Sequence, residues 1–211
     1  MQEDIRDFSA VEENVYDNEY VRKFLRKNKL YDLSEKDKLV KTAKLVSQIP
    51  YGKGRSIEEV LVTKRVGVCT GKHLVLESCY KNLGIECSQV VCTYKWGEQG
   101  LIYPENLQSI LNKGEWEQTH NFLKVKNHLG NNIEIDITWN SKLAKYGFKV
   151  LPVSWDGETS FYALKINKRY DHVDLKSTKI RLIESLSPEL RERRIEFLDK
   201  LFDWINQLNN S

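Results

Sequence analysis

Two short runs of alternating apolar and polar residues constrain the fold of this chain most strongly. The runs are HNFLKVKN at 120–127 and NIEIDITW at 132–139, and Gly130 and Asn131 lie between them. Alternation with a period of two is typical of strands that bury one face, and a turn containing Gly and Asn joins such strands into a β-hairpin. The pattern therefore predicts an antiparallel hairpin.

The apolar positions of the hairpin also predict its register. They are odd-numbered in both runs, at Leu123, Val125, Ile133, Ile135 and Ile137. Pairing odd with odd residues buries this face, so the even-numbered side chains share the other face, away from the core. That face carries His120 and Asp136, with Phe122 as its apolar exception. A turn centred on residue 128 places His120 and Asp136 directly opposite each other, and a shift of two residues leaves them diagonal neighbours.

Helical patterns precede and follow the hairpin. We expect helices at about 18–30 and 35–49, the second capped by Ser34, then a short helix opened by the SIEE capping box at 56–59 and a buried helix over 69–83. Further expected elements are a strand at 88–94, a short helix in PENLQSILNK, a strand at SFYALKI (160–166) and a C-terminal helix at about 187–208. Helices first and antiparallel strands after them indicate an α+β fold.

Composition and charge exclude several classes of protein. We expect no membrane partner and a cytoplasmic location, because no apolar run approaches the ~18 residues of a membrane span and the N-terminus does not resemble a signal peptide. A net charge of +3 gives no reason to expect a nucleic-acid partner. We also expect no cofactor and no metal, since the chain has no phosphate-binding Gly loop and no spacing of ligands typical of a metal site.

Charge is unevenly distributed near the N-terminus. Residues 1–20 hold seven acidic side chains and one Arg, whereas residues 22–55 hold eleven Lys or Arg. We interpret residues 1–17 as an acidic arm that precedes a single domain at 18–211. The arm is either a solvated tail or a segment that folds back on the basic surface.

Cys69 is expected at the start of the buried helix, where a thiol can become a nucleophile. Backbone N–H groups and the helix dipole favour the thiolate there and lower the thiol pKa below its usual ~8.5. An imidazole beside the thiolate supplies a proton to a leaving group, and a carboxylate behind the imidazole orients it. Cys69, His120 and Asp136 provide these three groups. His73, four residues after Cys69, is the weaker imidazole because the sequence shows no carboxylate partner for it.

These residues resemble the core of the transglutaminase-like superfamily. The resemblance consists of Gly-x-Cys at a helix start in GVCTGKHLVLESCYKNLGI, His followed two residues later by an aromatic in HNFLKV, and Asp-x-Thr in EIDITWN. It covers about residues 50–140 and implies a papain-like fold in which Cys69 is the nucleophile, His120 the general base and acid, and Asp136 the orienting carboxylate. The chain departs from the family at Phe122, where Trp is more common, and at His73, where a small residue is common.

The resemblance implies a cysteine enzyme that acts on amide bonds through a thioester. Its substrate is expected to be a protein or peptide, and the reaction is that of a peptidase, a deamidase or a transamidating enzyme. Residues expected to border the substrate cleft are His73, Trp96, Phe122 and Trp139. The alternative is a non-catalytic binding module that keeps the transglutaminase-like fold and cleft. Arylamine acetyltransferases also use Cys, His and Asp but differ in the residues that precede the Cys, which are RVGV here.

Overall fold

Residues 18–211 are described by the computed structural model, and they form an α+β fold. The acidic arm at 1–17 lies outside the described residues. The helices and strands follow the chain as α1 (Glu19–Lys27), α2 (Glu35–Ser47), α3 (Cys69–Asn82), β1 (Cys87–Tyr94), α4 (Glu105–Asn112), β2 (Gln118–Lys126), β3 (Asn132–Ile135), β4 (Lys168–Tyr170), α5 (Leu175–Glu184) and α6 (Pro188–Asn210). Shorter helical turns lie at Glu59–Thr63, Trp96–Glu98 and Ser141–Tyr146.

The sheet confirms the predicted hairpin. It is antiparallel, with the strand order β3-β2-β1-β4. In the hairpin of β2 and β3, odd residues pair with odd residues, and Leu123 faces Ile135. A register symmetric about residue 128 would pair His120 with Asp136. The observed register is shifted by two residues from it. His120 and Asp136 are therefore diagonal rather than directly opposite.

The second half of the hairpin and the strand expected at 160–166 differ from the prediction. β3 ends at Ile135, and the backbone N–H of Asp136 donates to the carbonyl of Phe161 at 2.9 Å on the edge away from β2. Phe161 forms an isolated parallel bridge with Ile135, and the prediction of a full strand at 160–166 is wrong. The edge of β1 is instead paired with β4, at Lys168–Tyr170.

The odd-numbered face lies in the main core, as predicted, and the even-numbered face lies outside that cluster but is covered rather than exposed. His120 and Asp136 are each only 1% exposed. Phe122 belongs to a small apolar cluster with Val90 and Cys92, and Tyr162 packs edge-on against its ring at 5.7 Å between centroids. The segment at 160–166 thus covers this face of the sheet instead of extending it.

Several helices begin at the capping residues that the sequence predicts. Ser34 accepts the backbone N–H of Asp37 at 3.1 Å, as expected for the N-cap of α2. In the capping box, Ser56 accepts the N–H of Glu59 at 3.1 Å and Glu59 accepts the N–H of Ser56 at 3.3 Å. Ser187 caps α6 with Pro188 in its first turn. These contacts replace the backbone partners that the first turn of a helix lacks.

Helix α3 lies at the centre of the fold. It packs against β1 and β2, while α1 and α2 pack against α3. Its residues from Thr70 to Tyr80 are all buried. The expected arrangement of N-terminal helices on an antiparallel sheet is thus present, and the helices reach the sheet through α3.

Helix α5 is an element that the sequence analysis did not predict. It begins at Leu175, where Asp174 accepts the backbone N–H of Ser177 at 2.8 Å, and it packs against β1 and β2. The C-terminal helix was predicted at about 187–208 and extends to Asn210. Among the helices described between residues 18 and 211, none combines the length and apolarity needed to cross a bilayer.

Candidate active site

The backbone before Cys69 is held against the loop at 50–55. The N–H of Val68 donates to the carbonyl of Gly54 at 2.9 Å, and the N–H of Gly67 donates to that of Pro50 at 3.0 Å. This approach requires glycine, because a Cβ on Gly54 would lie 1.9 Å from the carbonyl oxygen of Val66, and one on Gly71 would lie 2.5 Å from that of Gly54. The two glycines therefore fix the position of Cys69 at the start of α3.

Cys69 is the first residue of α3 and is half-buried. The N-cap residue, Val68, has no polar side chain to accept the N–H groups of the first turn. Those donors and the positive end of the helix dipole therefore face the region of the thiol, where they favour a negative charge.

His120 and Asp136 form a buried, hydrogen-bonded pair near Cys69. Nε2 of His120 lies 2.8 Å from Oδ2 of Asp136. The other carboxylate oxygen accepts hydrogen bonds from Thr138, at 3.1 Å from its backbone N–H and at 2.6 Å from its hydroxyl. The carboxylate is thus held in one orientation, and it orients the imidazole in turn.

The imidazole of His120 interacts with Cys69 on its other side. The two side chains interact electrostatically, and since Nε2 is engaged by Asp136, Nδ1 is the ring nitrogen left for the sulfur. The ring of Tyr94 packs edge-on against the imidazole, with 5.8 Å between centroids. The three groups are therefore ordered as sulfur, imidazole and carboxylate.

Electrostatic interactions within this group favour charge separation. Burial raises the pKa of a thiol, but the positive charges of Lys179 and His120 outweigh it and lower the pKa of Cys69 to about 7. Burial lowers the pKa of His120, yet the negative charges of Asp136 and the Cys69 thiolate raise it to about 9. Burial raises the pKa of Asp136, but its contacts with His120 lower it to about 2. Between these values the sulfur is a thiolate and the imidazole a cation.

The other thiols lie in environments that suppress ionisation. Burial raises the pKa of Cys79 and of Cys92 far above the usual value, and it raises that of Cys87 to about 12. Cys92 is the direct strand neighbour of His120, so proximity to the imidazole alone does not activate a thiol here. Cys69 differs because it lies at a helix start beside two cations.

His73 has a carboxylate neighbour that the sequence did not reveal. Its Nε2 lies 3.5 Å from Oδ1 of Asp136 and accepts the backbone N–H of Ile137 at 3.0 Å. Nδ1 therefore carries the proton and donates to the carbonyl of Cys69 at 2.8 Å. Burial lowers the pKa of His73 to about 3, so the ring is neutral. It joins the start of α3 to the segment after Asp136, as a structural bridge.

Lys179 is the residue of this site that the sequence analysis missed. It lies on α5, is 1% exposed, and donates from Nζ to the hydroxyl of Thr70 at 2.8 Å and to Oδ1 of Asn121 at 2.5 Å. The Thr70 hydroxyl lies 3.9 Å from the sulfur of Cys69. The cap at Asp174 was the signal in the sequence that α5 exists, but no local pattern indicated that this lysine is buried.

A cavity of about 50 Å³ lies beside Cys69. Its lining includes Tyr51, Arg55, Val68, Thr70, Gln118, Thr119, Lys179, Arg194, Leu198 and Phe202. None of the residues expected to border the cleft lines this cavity: His73, Trp96 and Phe122 are buried, and Trp139 lines a separate cavity of about 480 Å³ while packing against Tyr51. Their role in substrate binding stays a prediction.

Among the residues described, no group of three or more His, Cys, Asp or Glu side chains is arranged to hold a metal ion. In comparisons with known proteins, the chain matches no protein-family model, and no curated protein is significantly similar to it.

Proposed function

We propose that this protein is a transglutaminase-like cysteine enzyme that transfers or hydrolyses acyl groups through a thioester on Cys69. The observation that carries the proposal is the order of Cys69, His120 and Asp136 in the fold, with the pKa of the thiol lowered and that of the imidazole raised. The resemblance of residues 50–140 to that superfamily supports the same roles.

Acylation begins with the thiolate of Cys69. The sulfur attacks the carbonyl carbon of an amide, and a sulfur–carbon bond forms while the carbonyl oxygen becomes an oxyanion near the N–H groups at the start of α3. The carbon–nitrogen bond then breaks, and the leaving amine takes the proton of the His120 imidazolium. The products of this step are a free amine, a thioester on Cys69 and a neutral His120.

Deacylation reverses the proton transfer. Neutral His120 accepts a proton from water or from an amine as that nucleophile attacks the thioester carbonyl. The carbon–sulfur bond breaks, and Cys69 leaves as a thiolate beside the imidazolium. Water as the acceptor makes the protein a hydrolase, and an amine makes it a transamidating enzyme. Asp136 keeps the imidazole in the orientation that serves both steps.

Active esters provide a direct test. The full-length protein is mixed with p-nitrophenyl esters of acetylated amino acids, and p-nitrophenol release is followed together with the intact mass of the protein. We expect a burst of one equivalent per chain and an added acyl group that maps to Cys69. Adding a primary amine shows whether the thioester passes to the amine or to water.

Two variants control this experiment. Cys69→Ser removes the nucleophile and is expected to abolish the burst. Cys92→Ser removes the thiol that faces His120 across the sheet and is expected to leave the burst unchanged. A folded protein that forms no acyl adduct with any ester would contradict the proposal and favour the alternative of a binding module.

A further inference from the structure

Gln118, the first residue of β2, lines the cavity beside Cys69. It precedes His120 by two residues, so the two side chains leave the strand on the same face. Like the imidazole, the amide of Gln118 is buried. The strand that supplies the proposed general base therefore also brings an amide side chain to the thiol.

Two neighbours fix which end of this amide is the oxygen. Nε1 of Trp116 donates to Oε1 of Gln118 at 2.9 Å, and Nε of Arg194 donates to the same oxygen at 3.1 Å. Indole and guanidinium groups can only donate hydrogen bonds. The oxygen end of the amide must therefore face them, and the nitrogen end points away from both.

The nitrogen end of the amide keeps an unused N–H. A primary amide nitrogen carries two donors. One of them reaches the carbonyl of Thr119 at 3.4 Å, which is longer than the usual 2.7–3.2 Å of such a bond. Within residues 18–211, Nε2 of Gln118 has no other hydrogen-bond partner. A buried donor that no protein group satisfies needs an acceptor from water or a ligand.

The size of the cavity brings that donor close to the reacting group. A water needs about 10–15 Å³, so a cavity of about 50 Å³ admits a group of only a few heavy atoms. Cys69 and Thr70 line it from the start of α3, and Gln118 lines it from β2. A carbonyl group that is attacked by the sulfur within this cavity thus lies between the N–H groups of a helix start and an amide side chain.

We propose that Nε2 of Gln118 donates a hydrogen bond to the carbonyl oxygen of the acyl group that Cys69 attacks, which makes Gln118 a catalytic residue. The inference rests on the proposed function, because it assigns a donor to the same acyl transfer. The hydrogen bond strengthens as the oxygen gains negative charge in the tetrahedral intermediate, so it lowers the barriers to acylation and deacylation. Gln118 keeps both amide protons, and no covalent bond forms or breaks on it.

Comparison of acylation with alkylation tests this role. Iodoacetamide reacts with the Cys69 thiolate at a saturated carbon and forms no oxyanion, whereas a p-nitrophenyl ester passes through one. Gln118→Glu keeps an oxygen that accepts from Trp116 and Arg194 but replaces the N–H donors. We expect the limiting rate of acylation to fall by about 10²- to 10³-fold, and that of alkylation to stay unchanged. Limiting rates are taken from pH profiles, so that a shift in the thiol pKa does not enter the comparison.

Two further variants control for charge and for loss of a bound glutamine. Gln118→Met removes the donor without adding a carboxylate that repels the oxyanion, and the same selective loss of acylation is expected. Gln99→Met is the matched control, because Gln99 donates to the carbonyls of Lys95 and Lys165 but lines the separate cavity of about 480 Å³. It should leave both rates unchanged. If Gln118→Met does not fold by circular dichroism, Gln118→Glu carries the test.

Infrared spectroscopy of the acyl-enzyme reports on the hydrogen bond itself. The stretching band of a ¹³C-labelled thioester carbonyl moves to lower wavenumber when the oxygen accepts a hydrogen bond. We expect the band of the acyl group on Cys69 to move to higher wavenumber in Gln118→Met and Gln118→Glu than in the wild type. Gln99→Met should leave the band in place. A merely structural role of Gln118 would not move the band while leaving the alkylation rate intact.

Failure of this inference is distinguishable from failure of the proposed function. If the wild type forms an acyl adduct on Cys69 and the Gln118 variants form it equally fast, the enzyme stands and the role of Gln118 is rejected. The role is also rejected if acylation and alkylation fall by the same factor, because the change then acts on the thiolate. If the folded wild type forms no acyl adduct, the proposed function fails and this inference fails with it.

Discussion

His120 and Asp136 lie 2.8 Å apart through Nε2 and Oδ2, and both are closed off from solvent. A buried carboxylate is stable only when its charge is compensated. The imidazolium of His120 provides that charge, and Thr138 binds the remaining carboxylate oxygen through two hydrogen bonds. The pair therefore holds a proton on the imidazole at the position where the Cys69 thiolate needs a counter-ion.

Asp136→Asn tests whether the carboxylate serves this pair. The substitution nearly preserves shape but removes the charge that keeps His120 protonated. We expect the acyl-transfer rate to fall by about 10- to 10³-fold, which is less than the loss of about 10⁴ that the same change causes in a Ser-His-Asp triad, because a thiolate and imidazolium need less support. Stopped-flow measurement of p-nitrophenol release gives the rate. The pH at half-maximal alkylation of Cys69 should rise, and a variant with unchanged rate and unchanged profile would contradict the assigned role.

The pH dependences of alkylation and of acylation distinguish the loss of the Cys69 thiol proton from the loss of the His120 imidazolium proton. Alkylation of Cys69 by iodoacetamide needs only the thiolate, so its rate should rise as the pH passes through about 7 and then stay level. Acylation by an amide also needs the His120 proton, so its rate should fall as the pH rises through about 9. The apparent values belong to the coupled pair rather than to either residue. An alkylation midpoint at the pH of a free thiol would remove the basis for an ion pair.

Removal of His120 is expected to lower activity, whereas removal of His73 is expected to lower stability. His120→Ala should abolish acylation, whereas His73→Leu should leave most of it in the folded protein, since His73 is neutral and bridges two backbone groups. His73→Leu should lower the free energy of unfolding by about 2–4 kcal/mol, because it leaves a buried N–H and a carbonyl without their partners. Urea unfolding at pH 8 measures this loss. A stable but inactive His73→Leu variant would show that His73 acts in the chemistry.

The same variant carries a prediction about acid stability. The pKa of His73 is about 3 in the folded protein and ~6.5 when unfolded, so the unfolded chain binds the proton more tightly. Stability linked to this group is therefore fully present above pH 6.5 and is lost as the pH falls toward 3. Wild-type protein should lose more unfolding free energy than His73→Leu between pH 7 and pH 4. Equal losses would indicate that His73 is protonated in the folded state.

Lys179→Met is expected to raise the pKa of Cys69, because Lys179 is the leading source of positive charge that opposes the effect of burial. The pH at half-maximal alkylation by iodoacetamide should increase by about 1. Arg181→Gln provides the matched control, since Arg181 is an exposed cation on the same helix. An identical profile in wild type and Lys179→Met would show that Lys179 only fills space.

Much of this arrangement followed from local sequence patterns. The alternation at 120–127 and 132–139 was enough to predict the hairpin and its odd-with-odd pairing, because the pleat of a strand sends neighbouring side chains to opposite faces. The caps at Ser34, Ser56 and Ser187 were readable for a similar reason, since a cap binds N–H groups only two or three residues away. Parity placed His120 and Asp136 on one face, and the position of the turn made them neighbours.

Only the tertiary structure determined what surrounds that pair. Lys179 reaches Thr70 across 109 residues of sequence, and His73 meets the Ile137 N–H across 64. The same packing buries His120 and Asp136 on a face that alternation alone showed only to be outside the core. Hydrophobic periodicity reports which face of an element is apolar, but not which polar side chains another element will cover. The charge of the site depends on that covering, because desolvation and neighbouring cations set the pKa of Cys69.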